Sequence, residues 1–227
     1  MKISVVMNTY NENKNWLLQA IDSYLKQDSV NVDLIISTVK NDLSIDVANK
    51  KGLKISISES GGIYNQLNNS LNLVDGDWYC YASSNDVALP TKLKDEVELC
   101  IKNNKKVCYS AYYQSDKNLN NKKIIKFYNY SYRKHMTGSN FVSDLAMVKR
   151  DILEKYKPFN ENFHNFAYYD FWLRVAEGEG ENVFIYNPKP EWIYRITKQS
   201  RHVKRSKDLE WISRNNMNKI IMLKSHK

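Results

Sequence analysis

The sequence predicts an α/β protein, a mainly parallel sheet covered by helices on its faces. Three observations carry that expectation. From residue 2 to residue 113, short apolar, β-branched runs alternate with segments whose apolar residues recur every three or four positions. Neither a linker nor an internal repeat divides the 227 residues, which suffice to bury one sizeable core. No run of 18 apolar residues is present, so no membrane-spanning helix is expected.

In order, Lys2 to Met7 reads as a buried strand, and Trp16, Leu17, Ala20, Ile21, Tyr24 and Leu25 share one helix face. Val32 to Ser37 and Leu53 to Ile57 give the second and third strands. Gly61-Gly62 opens a helix with Ile63, Leu67, Leu71 and Val74 on one side. The fourth strand starts at Trp78, Tyr79, Cys80 and Tyr81 and runs into the small polar stretch Ser83-Ser84-Asn85-Asp86 before Pro90. A helix through Leu93, Val97 and Ile101 and a strand from Val107 to Tyr113 follow. Beyond residue 113 the pattern is less regular. Gln114 to Lys123 is polar enough for a mobile loop, Ile124 to Tyr130 reads as a strand, Met147 to Tyr156 as a helix ended by Pro158, and Tyr169 to Ala176 as another helix. Asn182–Tyr186 and Trp192–Ile196 are short strands. Leu209, Ile212, Met217, Ile220 and Leu223 form an apolar face in a basic tail that either docks on the domain or lies on a membrane surface.

Charge is unevenly distributed. Residues 101–160 hold 13 basic and 4 acidic side chains, and 189–227 hold 11 and 3, while 161–188 hold 1 and 5. Two basic segments therefore flank a short acidic one containing Asp170. Such segments attract phosphates, acidic glycans, nucleic acid or an anionic membrane face, although lysines alone also make an ordinary solvated surface. No nucleic-acid-binding motif accompanies them, so no nucleic-acid partner is expected. The three cysteines, Cys80, Cys100 and Cys108, lack CxxC spacing and are odd in number, which points to buried free thiols. With no signal-peptide pattern, a cytoplasmic location is expected, with peripheral contact to the inner membrane face through the tail.

GxxxxGK[ST], GxGxxG, GxSxG and HExxH are all absent, which removes the main support for P-loop, dinucleotide, serine-hydrolase and zincin readings. Two polar stretches directly after strands remain. Thr9-Tyr10-Asn11-Glu12 follows the first, where an aromatic ring beside short polar groups suits a nucleotide, or Asn and Thr simply cap the next helix. Ser84-Asn85-Asp86 follows the fourth. Its carboxylate among small polar groups suits a hard cation, or forms only a turn. In open α/β sheets, ligands collect beyond the carboxyl ends of the strands, and both stretches sit there.

Together these motifs resemble those of family 2 glycosyltransferases, nucleotide-sugar-dependent enzymes of GT-A fold. Ile3 to Glu12 is similar to the family's opening strand and Pro-Thr-Tyr-Asn turn, with Asn8 where proline is usual. Thr38 to Asp42 stands at the family's Val-Asp-Asp-Gly-Ser. Gly61-Gly62-Ile63-Tyr64-Asn65-Gln66-Leu67-Asn68 and Gly76-Asp77-Trp78 resemble the Gly-Gly-Ile-Tyr-Asp-Ala and Gly-Asp-Trp segments of a subgroup acting in surface-polysaccharide synthesis. Ser83 to Asp86 falls on the DxD motif. Ser143 to Glu161 resembles the acceptor-side segment, Tyr169 to Arg174 the helix opening on the catalytic carboxylates, and Tyr194-Arg195 through Ser200 and His202 the closing element. Ungapped alignment puts Ala167-Tyr168 at the family's Glu-Asp pair.

The resemblance implies one GT-A domain over 1–227, with a nucleotide-sugar half (1–113), an acceptor-side half (114–200) and the basic tail (201–227). It implies an inverting transfer from a nucleotide-diphosphate sugar to a glycan or lipid-linked acceptor, helped by Mn²⁺ or Mg²⁺. Asp170 is then the base, and Asp86 and His202 are the metal ligands. Thr9, Tyr10, Asn11, Glu12, Asp42, Gly62, Asn65, Asn68, Ser84, Asn85 and Arg195 contact the donor. The alternative is a transferase-like module that binds nucleotide or glycan with little or no turnover.

Overall fold

A computed structural model describes residues 1–137, 142–161 and 167–197. The strands are β1 (Lys2–Asn8), β2 (Asn31–Val39), β3 (Lys54–Ser58), β4 (Trp78–Ser83), β5 (Val87–Ala88), β6 (Val107–Ser115), β7 (Lys123–Ile125), β8 (Met147–Lys149) and β9 (Phe184–Arg195). The helices are α1 (Lys14–Leu25), α2 (Leu43–Lys50), α3 (Ile63–Ser70), α4 (Lys92–Lys102), α5 (Tyr132–Met136), α6 (Arg150–Tyr156) and α7 (Ala167–Glu179). The strands form one sheet in the order β3-β2-β1-β4-β8-β6-β9-β5, with β7 paired to the carboxyl-terminal part of β6.

Direction within the sheet determines where the site lies. β1 runs parallel to β2 and β4, β2 to β3, and β6 to β9, while β8 lies antiparallel between β4 and β6. β1, β2, β3, β4, β6 and β9 therefore share one direction, and their carboxyl ends gather at one rim.

Alternation of side chains gives each face its own core. Ile3, Val5 and Met7 of β1 pack against Leu17, Ala20 and Ile21 of α1 and Leu93 and Val97 of α4. On the opposite face Val6, Tyr79, Tyr81 and Val107 pack against Tyr64 and Leu67 of α3, Ile152 of α6 and Phe171 and Trp172 of α7. The three-layer α/β/α arrangement follows.

Local chemistry starts and stops these elements. Asn13 caps α1, its Oδ1 accepting from the Asn15 and Trp16 amides at 3.0 and 3.3 Å, and Asp42 caps α2. Gly62 leads into α3 with φ 145°, a conformation side chains rarely adopt. Gly76 lies so close to β1 that a Cβ there would meet the Ser4 amide nitrogen at 2.5 Å. Gly76→Ala is expected to destabilise the domain by roughly 2–3 kcal/mol, because backbone rather than a movable side chain is in the way; urea unfolding of the purified variant measures it.

Several expectations are corrected here. Met147–Lys149 is strand, because Val148 pairs with Tyr79 of β4 on one side and Val107 of β6 on the other, and the helix begins only at Arg150. The strand expected over Ile124–Tyr130 covers only Lys123–Ile125: the Phe127 amide donates to Tyr186 Oη and the Tyr128 carbonyl accepts from Tyr109 Oη, so side chains replace the ladder. The two short strands near the end are one, β9, whose pairing with β6 shifts register as it passes Pro188 and Pro190. Gln114 to Lys123 is not one loop: β6 extends to Ser115, and Asp116 organises the turn after it by accepting from the Asn118 and Asn120 amides and the Asn121 side chain at 2.8–3.0 Å. Helices α2 and α5 are short and were not anticipated. The apolar face proposed within 201–227 lies outside the described residues.

Candidate active site

At the common rim, the turn after β1 and the turn after β4 meet. Glu12 holds both: Oε1 accepts from the Asn13 amide at 2.8 Å and Oε2 from Ser84 Oγ at 3.2 Å. Asn11 has φ 49°, and its amide donates to Asp42 Oδ2 at 2.7 Å, which joins the end of β2 to the same turn. Burial alone would raise the Asp42 carboxyl, but donors from Ser44 and Asn11 outweigh it and hold the group below the usual carboxylate range. Thr9 is buried, its amide donates to the Ser37 carbonyl at 2.9 Å, and Thr9 Oγ1 and Asn8 Oδ1 are buried without a hydrogen-bond partner. Tyr10, 67% exposed, stands out from the rim.

The turn after β4 is tied down from β9. Asp86 is buried, and its Oδ1 accepts from the Arg195 amide at 2.9 Å. Arg195 itself is 2% exposed. Its Nε donates to the Asn85 carbonyl at 2.8 Å, and Nη1 and Nη2 donate to the Lys117 carbonyl and Gln19 Oε1, each at 2.6 Å. The guanidinium also lies 5.2 Å from the Trp16 ring centre. Arg195, expected among the donor contacts, thus ties α1, the turn after β4 and the turn after β6 together.

Other expected residues lie apart from this cluster or face inward. Asn68 Nδ2 donates to the Phe159 carbonyl and to Glu161 Oε1, and its Oδ1 accepts from the Phe159 amide, all at 2.9 Å; Asn65 Nδ2 reaches Glu161 Oε2 at 3.4 Å. Both amides therefore join α3 to the segment before α7. Asp170 lies in the first turn of α7, buried, accepting from Arg174 Nε at 2.8 Å, and Arg174 also donates to the Tyr156 and Pro158 carbonyls. Tyr168, at the place of a family carboxylate, is buried with its hydroxyl 3.0 Å from that of Tyr79. His202, Ser200 and Arg201 lie outside the described residues.

A cleft of about 1220 Å³ opens beside Glu12, walled by Trp16, Gln114, Asp116, Lys117 and Thr197. Most of these were not singled out in the sequence. Asp116 and Lys117 also follow a parallel strand, β6, so the strand-end rule finds them. Trp16 was legible only as a core position on the α1 face.

Comparison with known proteins follows the same outline. Residues 4–157 match the family model described as Glycosyl transferase family 2. The chain belongs to glycosyltransferase family 2. An uncharacterised glycosyltransferase of Methanocaldococcus jannaschii is 26% identical over 225 residues, covering 90% of this chain and 74% of that protein. One from Rickettsia conorii is 30% identical over 134 residues, 55% of this chain and 22% of its own length, so the family 2 region shared with it is a small part of a longer protein. Two solved structures share the GT-A fold. Staphylococcus aureus TarS 1–349 in complex with UDP superposes with a TM-score of 0.67 at 17% identity, covering 87% of this chain and 61% of that one. Glucosyl-3-phosphoglycerate synthase of Mycobacterium tuberculosis, with Mn²⁺, UDP and glucosyl-3-phosphoglycerate, gives 0.67 at 16% identity over 97% and 79%. Among the described residues of this family 2 transferase, no helix is long and apolar enough to cross a membrane.

The described residues contain no group of three His, Cys, Asp or Glu side chains that could cage a metal. A cage is not required. Mg²⁺ and similar hard cations at nucleotide sites are held by one or two carboxylates, substrate phosphates and water, and buried Asp86 on a rim with Ser84 and Glu12 fits that donor set.

Beneath the rim, Glu191 of β9 is fully buried and bonds Asn187 Nδ2, Thr91 Oγ1 and Lys189 Nζ. Burial, with Glu96 nearby, pushes its carboxyl up to about 7, against the pull of Lys189. A carboxyl raised on folding binds more protons folded than unfolded, so its contribution is present near pH 4.5 and is lost as pH rises toward 7. Thermal unfolding is expected to show roughly 1–2 kcal/mol less stability at pH 8 than at pH 5 from this group, and Glu191→Gln is expected to flatten that slope.

Proposed function

We propose that the chain transfers a sugar, with inversion, from a nucleoside-diphosphate sugar to a saccharide or lipid-linked acceptor, with Mn²⁺ or Mg²⁺ held by Asp86. The observation that carries this reading is the junction of two strand-end turns, Thr9–Glu12 and Ser84–Asp86, through Glu12 and Ser84 at the rim of a GT-A sheet. Related folds in complex with UDP, UDP-sugar and Mn²⁺ support it. The Gly61-Gly62-Ile63-Tyr64 segment favours a surface-polysaccharide acceptor, and the basic tail favours work at an anionic membrane face.

In this reading Thr9, Asn11 and Asp42 receive the nucleoside, and Ser84, Asn85 and Asp86 face the diphosphate. A bound cation supplies charge neutralisation for the departing diphosphate. The acceptor oxygen attacks the anomeric carbon as the bond to the diphosphate oxygen breaks, and the hydroxyl proton passes to Asp170. Tyr168 in place of a carboxylate, and the Asp170–Arg174 pair, favour a second reading in which the chain binds donor with weak or no turnover.

UDP with Mn²⁺ is expected to raise the melting temperature, since a ligand of the native state stabilises it. With UDP-sugars, product release is expected from the wild type and a fall of about 100-fold or more in kcat from Asp170→Asn, with UDP affinity retained. Unchanged turnover in Asp170→Asn removes Asp170 as the base; UDP binding without any turnover in the wild type selects the binding module.

A further inference from the structure

The cleft beside Glu12 differs chemically from a phosphate site. Its lining, from the ends of α1, β1, β6, β7 and β9, includes two carboxylates, Glu12 and Asp116, and two cations, Lys117 and Lys123, so its formal charge balances. Asp116 is locked by three donors, and Glu12 by two. A lining of balanced charge lacks the net positive field that gathers phosphates, whereas each sugar hydroxyl both donates and accepts and meets either sign. Apolar area comes from Ile196 and from Trp16, a half-buried ring with the Arg195 guanidinium over it. The half-buried indole lines the cleft, and its flat ring suits the C–H face of a pyranose, while the Gln114 amide in the same lining supplies both halves of a hydrogen bond. The volume, about 1220 Å³, exceeds the roughly 300–1,000 Å³ that encloses a single drug-sized ligand. Space is therefore available for a chain of sugars.

We infer that this cleft, between the start of α1 and the β6–β7 turn, binds an oligosaccharide, with Trp16 as the stacking surface. That this oligosaccharide is the acceptor rests on the transferase reading above; its binding in the cleft does not. Through Glu12, which lines the cleft and bonds Ser84, the cleft adjoins the proposed donor site.

The test is a glycan array probed with the full chain, followed by titration of the best-binding oligosaccharide and, separately, of UDP with Mn²⁺. The oligosaccharide is expected to bind Trp16→Ala at least tenfold more weakly and Trp16→Phe less than threefold more weakly than wild type. Lys123→Trp, at an exposed rim position, narrows the cleft without touching the core and is expected to weaken the same ligand at least tenfold. Overturning results are the absence of any oligosaccharide hit, an oligosaccharide indifferent to Trp16→Ala and Lys123→Trp, or a tenfold loss of UDP affinity in Trp16→Ala, which assigns the cleft to the nucleotide. Failure of UDP to bind the wild type counts against the donor reading alone, because the oligosaccharide arm is read without UDP.

Discussion

Asp86→Asn is expected to lower sugar transfer by roughly 10²–10³-fold while leaving the fold in place. Asn keeps an oxygen where Asp86 Oδ1 accepts from the Arg195 amide at 2.9 Å, so the tie between the turn after β4 and strand β9 survives. What disappears is the negative charge that would hold a cation against the donor diphosphate. Asp86→Ala removes both, and loss of this acceptor for the buried Arg195 amide adds about 1–3 kcal/mol of destabilisation. Comparing the two separates chemistry from structure: turnover lost in both, with unfolding shifted only in Ala, supports the assignment. Full turnover in a folded Asp86→Asn variant would remove the diphosphate end of the proposal.

The largest stability effect is expected from Lys92→Met. Lys92 and Glu96 of α4 are both fully buried, with Nζ 2.6 Å from Glu96 Oε2 and 2.9 Å from the Leu145 carbonyl, while Glu96 Oε1 accepts from Ser110 Oγ at 2.6 Å. Burial would favour a neutral lysine, but the neighbouring Cys80 and Glu96 more than offset it and raise the Lys92 ammonium above its ordinary range. Removing the cation strands a carboxylate in the core, so Lys92→Met is expected to destabilise by roughly 3–5 kcal/mol. The double variant Lys92→Met, Glu96→Gln leaves no buried charge and is expected to recover much of that loss in urea unfolding. A double variant no better than the single one would show that the pair is not what holds α4 to the sheet.

Strand ends were legible in the sequence because the buried parallel strands read as apolar runs closed by small polar residues. Thr9–Glu12 and Ser84–Asp86 were located by that rule alone. Met147–Lys149 was not, because three residues wedged between two strands show no period and sit directly before a helical pattern. Partners were legible less often than positions. Arg195 is expected from the sequence as a donor contact, and the groups that its guanidinium bonds lie 78 to 176 residues away in the chain. Asn68 was similarly marked, but its partner Phe159 is 91 residues away. Such pairings depend on how the layers close, which local composition does not encode. Lys92 and Glu96 belong to the same class. A Lys and a Glu four apart read as a surface helix pair, and only the packed position of α4 buries them.

Arg195 has a dynamic consequence. Its backbone and guanidinium join α1, the turn after β4 and the turn after β6, so no one of these can swing outward without breaking bonds to the others. This part of the rim therefore opens all together or hardly at all, in the manner of a bistable packed element rather than a set of independent loops. In amide exchange, the Arg195 amide on β9 and the Trp16 amide at the start of α1 would share one opening free energy although they are far apart in sequence.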